Sequence, residues 1–275
     1  MIRNIIFAFL LIFVTGKALA IHPSATYLTT PTLNGTSNDS LNIQTSDNSR
    51  LTGWYCRPAH DSSQFLIVLA GGDAGNMSYD LPLAQFFIVN FHVPVLLFDY
   101  RGFGTSNAFK YDSNAIGHPE YLTDLDAAVS YASEHYSTRK IIVYGRSIGA
   151  ALAIVEGAKR VGITGVIAES PYPSQASLTE HIQHLNPTAN VTPIVSMSLE
   201  PIAWIQNFRT RNLLVLHGKS ELAIPSDELE ALVNASPSPN KKFLDFEDCN
   251  HLELPFKSTQ KFGEAIAQFL AECQQ

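Results

Sequence analysis

The chain has 275 residues, of which 18 Lys and Arg stand against 25 Asp and Glu for a formal net charge of −7, and 45% are hydrophobic. Sparse charge with no basic block excludes nucleic acid as a partner, and three cysteines in a chain this long do not make a disulfide framework. No C-x-x-C, H-E-x-x-H or His/Asp cluster occurs, so neither a metal nor another cofactor is expected.

Met1-Ile2-Arg3-Asn4 reads as a short basic region, residues 5–14 as an apolar run, and Ala18-Leu19-Ala20 as an A-x-A cleavage site before Ile21. That run is shorter than the ~20 apolar residues that span a bilayer. The pattern therefore predicts a signal peptide over residues 1–20 and an exported mature chain over 21–275. Its loss removes Arg3 and Lys17, taking the formal charge to −9. No cysteine near the cut supports a lipid anchor.

Residues 21–39 read as an extended arm or first strand, and 42–49 with 50–57 as a hairpin. Strand patterns follow at 65–70, 93–99, 140–144, 162–168, 213–217 and 242–246. Between and after them lie helical patterns at 78–90, 119–135, 148–159, 226–234 and 258–273. Runs such as Val95-Leu96-Leu97-Phe98 and Val166-Ile167-Ala168 suit strands buried on both faces. The alternation predicts one α/β domain, a mostly parallel central sheet with helices on both faces. Residues 171–211 are long for a crossover and contain Pro187, Pro193 and Pro201. They are expected to form a modest lid or excursion with one or two short helices, one of them at 201–208. The count of cysteines allows one bridge, but a C-terminal helix would hold Cys249 and Cys273 apart.

Gly145-Arg146-Ser147-Ile148-Gly149 follows the 140–144 strand and opens the 148–159 helix. A serine on so tight a strand-to-helix turn is pushed out of the sheet, and its hydroxyl meets the free N–H groups of a helix start. Such a serine needs a histidine to take its proton and a carboxylate to orient that histidine. Partners are sought at the carboxyl ends of strands. His181 and His184 fall in the excursion and His217 ends a strand, while His251 lies in the loop before the last helix and is the candidate base. Glu221 is the only carboxylate in the loop after the 213–217 strand and is the candidate acid, with Asp227 in reserve. Asp248 is too close in the same loop to reach the far ring nitrogen. For a developing oxyanion the expected donors are the backbone N–H of Ile148 and that of Asp73 in the glycine loop 71–76. A phosphate-cradling role for that loop lacks the Lys-Ser/Thr ending.

These motifs together resemble the α/β-hydrolase superfamily, more narrowly its monoacylglycerol-lipase and serine-aminopeptidase relatives. The carriers are Gly71-Gly72-Asp73-Ala74-Gly75-Asn76 where the family often has H-G-N-A-G-N, Asp99-Tyr100-Arg101-Gly102, the serine pentapeptide, Glu169-Ser170-Pro171-Tyr172, His217-Gly218-Lys219-Ser220-Glu221 and His251. The resemblance spans roughly 51–270. It implies Ser147 as nucleophile, His251 as base, Glu221 as acid, Asp73 and Ile148 backbones as the oxyanion hole, and Arg101 as a brace. Gly71, Asp73 and Glu221 depart from the usual histidine, asparagine and aspartate. The activity implied is hydrolysis of a small acyl substrate, an ester first, by an acyl-enzyme without cofactor; membrane contact enters only through a lipid substrate. Two alternatives stand beside it: a binding module that has lost catalysis, and an aminopeptidase, for which the excursion supplies only Glu180 and Glu200.

Overall fold

Short apolar runs with no polar face become central strands, and Phe65–Ala70, Val95–Phe98 and Asn212–Gly218 are buried at every position. The computed structural model describes residues 20–194, 196 and 199–275; the predicted signal peptide, but for Ala20, lies outside them. In chain order the strands are β1 (His22–Pro23), β2 (Ser37–Gln44), β3 (Arg50–Arg57), β4 (Phe65–Ala70), β5 (Ala74–Gly75), β6 (Val95–Phe98), β7 (Lys140–Arg146), β8 (Ile163–Glu169), β9 (Asn212–Gly218) and β10 (Asn240–Phe246). The helices are α1 (Leu81–Phe91), α2 (Pro119–His135), α3 (Ile148–Lys159), α4 (Gln175–Leu185), α5 (Pro201–Trp204), α6 (Ser226–Ala235), α7 (Leu254–Lys257) and α8 (Thr259–Glu272).

Eight strands form one sheet in the order β10-β9-β8-β7-β4-β6-β3-β2, and β1 pairs with β5 separately. All neighbours in the large sheet are parallel except β3, which runs against both β6 and β2. One face packs against α2, α3 and α6 through residues such as Leu125, Ala151 and Leu229. The other packs against α1 and α8 through Phe87, Phe262 and Ile266. The fold is the α/β-hydrolase fold, with the carboxyl ends of β4, β7, β8 and β9 gathered along one edge.

Differences from the sequence reading sit at element ends. The hairpin strand begins at Ser37 rather than 42, because a polar edge strand needs no apolar alternation on its exposed positions. The 93–99 run shrinks to β6, since Pro94 has no N–H for the ladder. The last helix is preceded by a separate turn, α7, with Pro255 near its start. In the excursion, α4 and α5 are short helices, and a loop between them is joined to residues 114–116: Thr192 N–H donates to the Asn114 carbonyl at 2.8 Å and Ile116 N–H to the Thr192 carbonyl at 3.2 Å. Cys56, Cys249 and Cys273 are buried free thiols.

Candidate active site

Ser147 sits between β7 and α3 with φ 55° and ψ −121°. A non-glycine residue with φ in this range is strained and is held there by its surroundings. Here the flanking glycines make the turn possible. A Cβ on Gly145 would lie 2.1 Å from the Gly149 carbonyl oxygen, and one on Gly149 would lie 2.3 Å from that of Ala70. The Ser147 N–H donates to the Glu169 carbonyl at 2.9 Å, which ties the turn to the end of β8. The glycine loop after β4 passes beside the serine: a Cβ on Gly72 would be 3.5 Å from that of Ser147.

His251 and Glu221 meet across 30 residues of chain, with His251 Nδ1 2.8 Å from Glu221 Oε2. Glu221 is 7% exposed and the imidazole 27%, so the carboxylate is sheltered while the ring keeps a face toward solvent. Burial works against the imidazolium, but the charge and hydrogen bond of Glu221, with Asp73 and Glu169 behind them, outweigh it and raise the His251 pKa. Asp227, the reserve acid, lies in the first turn of α6. His181 instead pairs with Glu228, at 2.8 Å. His217 is fully buried beside the candidate acid, its Nδ1 3.9 Å from Glu221 Oε2. Burial depresses its pKa. No hydrogen bond joins Ser147 Oγ to His251 among the described residues; they are linked one residue away on each side, where Arg146 donates to the Leu252 carbonyl at 3.2 Å.

That arginine, the variable second position of the pentapeptide, was invisible as a functional residue in the sequence. Its Nε donates to Glu169 Oε2 at 3.0 Å and another guanidinium nitrogen to Asp80 Oδ1 at 2.6 Å, and Tyr144 Oη donates to the same Glu169 oxygen at 2.9 Å. The network fastens the serine turn, the start of α1 and the histidine loop together. It also accounts for Gly71 where relatives often have histidine: a Cβ there would stand 2.6 Å from the other Asp80 oxygen, which Arg146 holds in place. Arg101, for which the resemblance implied a bracing role, bonds Asp124 of α2 at 2.7 and 2.9 Å and Asp47 of the turn between β2 and β3 at 2.6 Å.

Asp73 is half-buried. Burial raises its pKa while the nearby His251 opposes the rise. Among the described residues no three His, Cys, Asp or Glu side chains converge as a metal site.

A serine on a strained strand-to-helix turn, a glycine loop against it and a carboxylate-bound histidine at the adjoining strand ends define a hydrolase of the α/β type. The family model described as serine aminopeptidase, S33, matches residues 79–201, which include Ser147 and end before Glu221 and His251. The uncharacterized protein YfhR of Escherichia coli O157:H7 is 30% identical over 225 residues, 79% of this chain and 74% of that protein. An uncharacterized membrane protein of Saccharomyces cerevisiae, YNL320W, is 26% identical over 249 residues, 90% of this chain and 84% of its own. The Pyrococcus furiosus esterase Pf2001 superposes with a TM-score of 0.75 at 19% identity, covering 92% of this chain and 99% of the esterase. The chain belongs to the α/β-hydrolase superfamily, matching its serine-aminopeptidase family model. Among the described residues no helix is long and apolar enough to cross a membrane.

Proposed function

We propose that this protein is an exported serine hydrolase that cleaves an acyl ester through Ser147, His251 and Glu221. The observation that carries this reading is the 2.8 Å contact of Glu221 with His251 Nδ1, which leaves Nε2 as the ring nitrogen available to a serine proton. Ser147 Oγ attacks the acyl carbon as its proton passes to His251 Nε2, and the carbonyl oxygen becomes an oxyanion facing the Asp73 and Ile148 N–H groups. Collapse breaks the ester C–O bond, and His251 returns the proton to the departing alkoxide. Water then attacks the acyl-enzyme by the same route, releasing the acid and the free serine. Export rests on the leader-like pattern of residues 1–20.

An ester is the first choice because an alkoxide leaves more readily than an amine, and Pf2001 is named an esterase. A second reading, trimming of peptide N-termini, draws on the family description and on Glu200. Burial first, and then the charges of Glu200 and Asp73, raise the pKa of the Tyr172 phenol.

The test is labelling of the purified protein with a fluorophosphonate probe, beside Ser147→Ala and His251→Ala. Labelling of the parent alone is expected, followed by turnover of aryl esters well above that of aminoacyl amides. A parent that stays unlabelled while folded by circular dichroism overturns the hydrolytic reading and leaves the binding-module alternative.

A further inference from the structure

The segment that follows the candidate cleavage site lies along the glycine loop. Ile21 is 1% exposed and belongs to the core. The next residues form β1, whose register with β5 pairs His22 with Ala74 and Pro23 with Gly75. The His22 N–H donates to the Asp73 carbonyl at 2.8 Å, and the Ser24 N–H to the Gly75 carbonyl at 2.7 Å. The loop grips back: the Asn76 side-chain amide donates to the Ser24 and Thr26 carbonyls at 3.0 and 2.9 Å. Further on, Tyr27 Oη donates to Asp99 at 2.6 Å, and Asp99 accepts the Met77 N–H at 2.7 Å. The arm therefore holds Asp73, Gly75 and Asn76 directly and Met77 through Asp99.

Loops after strands are mobile unless their backbone groups are satisfied. His22 holds the Asp73 carbonyl and Ser24 the Gly75 carbonyl, while Gly72, just before the Asp73 N–H, lies against Ser147, so the arm anchors the loop that carries this N–H past the serine. We propose that Ile21–Ser24 is a positioning strand that aims the Asp73 N–H at the developing oxyanion, with Asn76 as the residue that docks it. This rests on the oxyanion role given to Asp73 above. It also gives the final asparagine of the glycine loop a task separate from chemistry.

The experiment compares the full chain with His22→Pro, which removes the N–H that reaches the Asp73 carbonyl. His22→Ala keeps that N–H and loses only the imidazole. Asn76→Asp is near-isosteric and turns the amide donor into an acceptor facing two carbonyls. Fluorophosphonate labelling rates and ester kcat and KM are normalised to active sites by titration. Removing a whole oxyanion donor costs about 10² to 10³ in kcat; loosening one is expected to lower kcat and the labelling rate by about tenfold, with KM within about twofold. His22→Ala restores the parent rate. Equal loss in His22→Ala and His22→Pro moves the effect to the imidazole and overturns the proposal, as does parental kcat in folded His22→Pro or, should that variant fail to fold, in Asn76→Asp. A parent that does not label sinks the hydrolase reading itself, a result separate from either of these.

Discussion

Replacing Arg146 with methionine tests whether the buried ionic network is what joins the serine turn to the histidine loop. Arg146 and Asp80 are each 8% exposed as side chains and Glu169 is 0% exposed, so solvent screens the pairs little. Methionine keeps much of the volume but leaves two buried carboxylates without a counter-charge, a loss of about 3–5 kcal/mol for breaking such a pair. At about 2–4 °C per kcal/mol for a domain of this size, the thermal midpoint at neutral pH should fall by roughly 6–20 °C. The sign of the pH effect follows from the carboxylates. Burial already raises the Asp80 pKa against the pull of Arg146, and without the guanidinium the folded-state pKa of Asp80 rises further. The folded variant then binds protons that the unfolded chain, with ordinary carboxylates, does not. Its deficit against the parent should therefore shrink as the pH falls from about 7.5 toward 5. Circular-dichroism melts of both proteins at the two pH values are the assay. A midpoint within about 2 °C of the parent at pH 7.5, or a deficit that grows on acidification, would refute the account of this network.

Two further substitutions address the candidate chemistry. Glu221→Gln removes the charge that raises the His251 pKa; the acid limb of kcat/KM against pH should move to lower pH while the plateau falls by about 10³ or more, and an unmoved limb would separate Glu221 from His251. Asp73→Asn removes a carboxylate on the residue expected to supply an oxyanion donor and should speed fluorophosphonate labelling several-fold; a slower variant would give the Asp73 charge a positive role.

The parts of the site that were legible in the sequence are those with local constraints. The turn at Ser147 needs glycines on both sides because carbonyl oxygens stand where their Cβ atoms would be, so its pattern appears as five consecutive residues. Glu221 stood out because it is the only carboxylate of its loop, and the fold brings it to His251. Arg146, Asp80 and Glu169 gave no such signal, because their contacts span 66 and 23 residues and depend on the sheet being assembled. The arm was legible as an extended segment but its docking was not: its bonds to the glycine loop are made by its own backbone groups, and a segment rich in Thr, Ser, Pro and Asn carries no periodicity. The antiparallel edge was half legible, since the hairpin showed but the pairing of β3 with β6 crosses 40 residues of chain.

The strand order has a consequence for when this protein acquires its shape. β4 lies between β6 and β7, so its ladder on one side waits for residues 140–145, some 75 residues later in synthesis. The sheet is not closed on its far side until β10 pairs with β9. Pairings between distant segments form slowly compared with helices and hairpins. A chain leaving the ribosome amino end first therefore presents the hairpin of β2 and β3 early but no complete core until most of it has been made. The interval between synthesis and completion of β10 is therefore the period in which its apolar strands depend on being shielded.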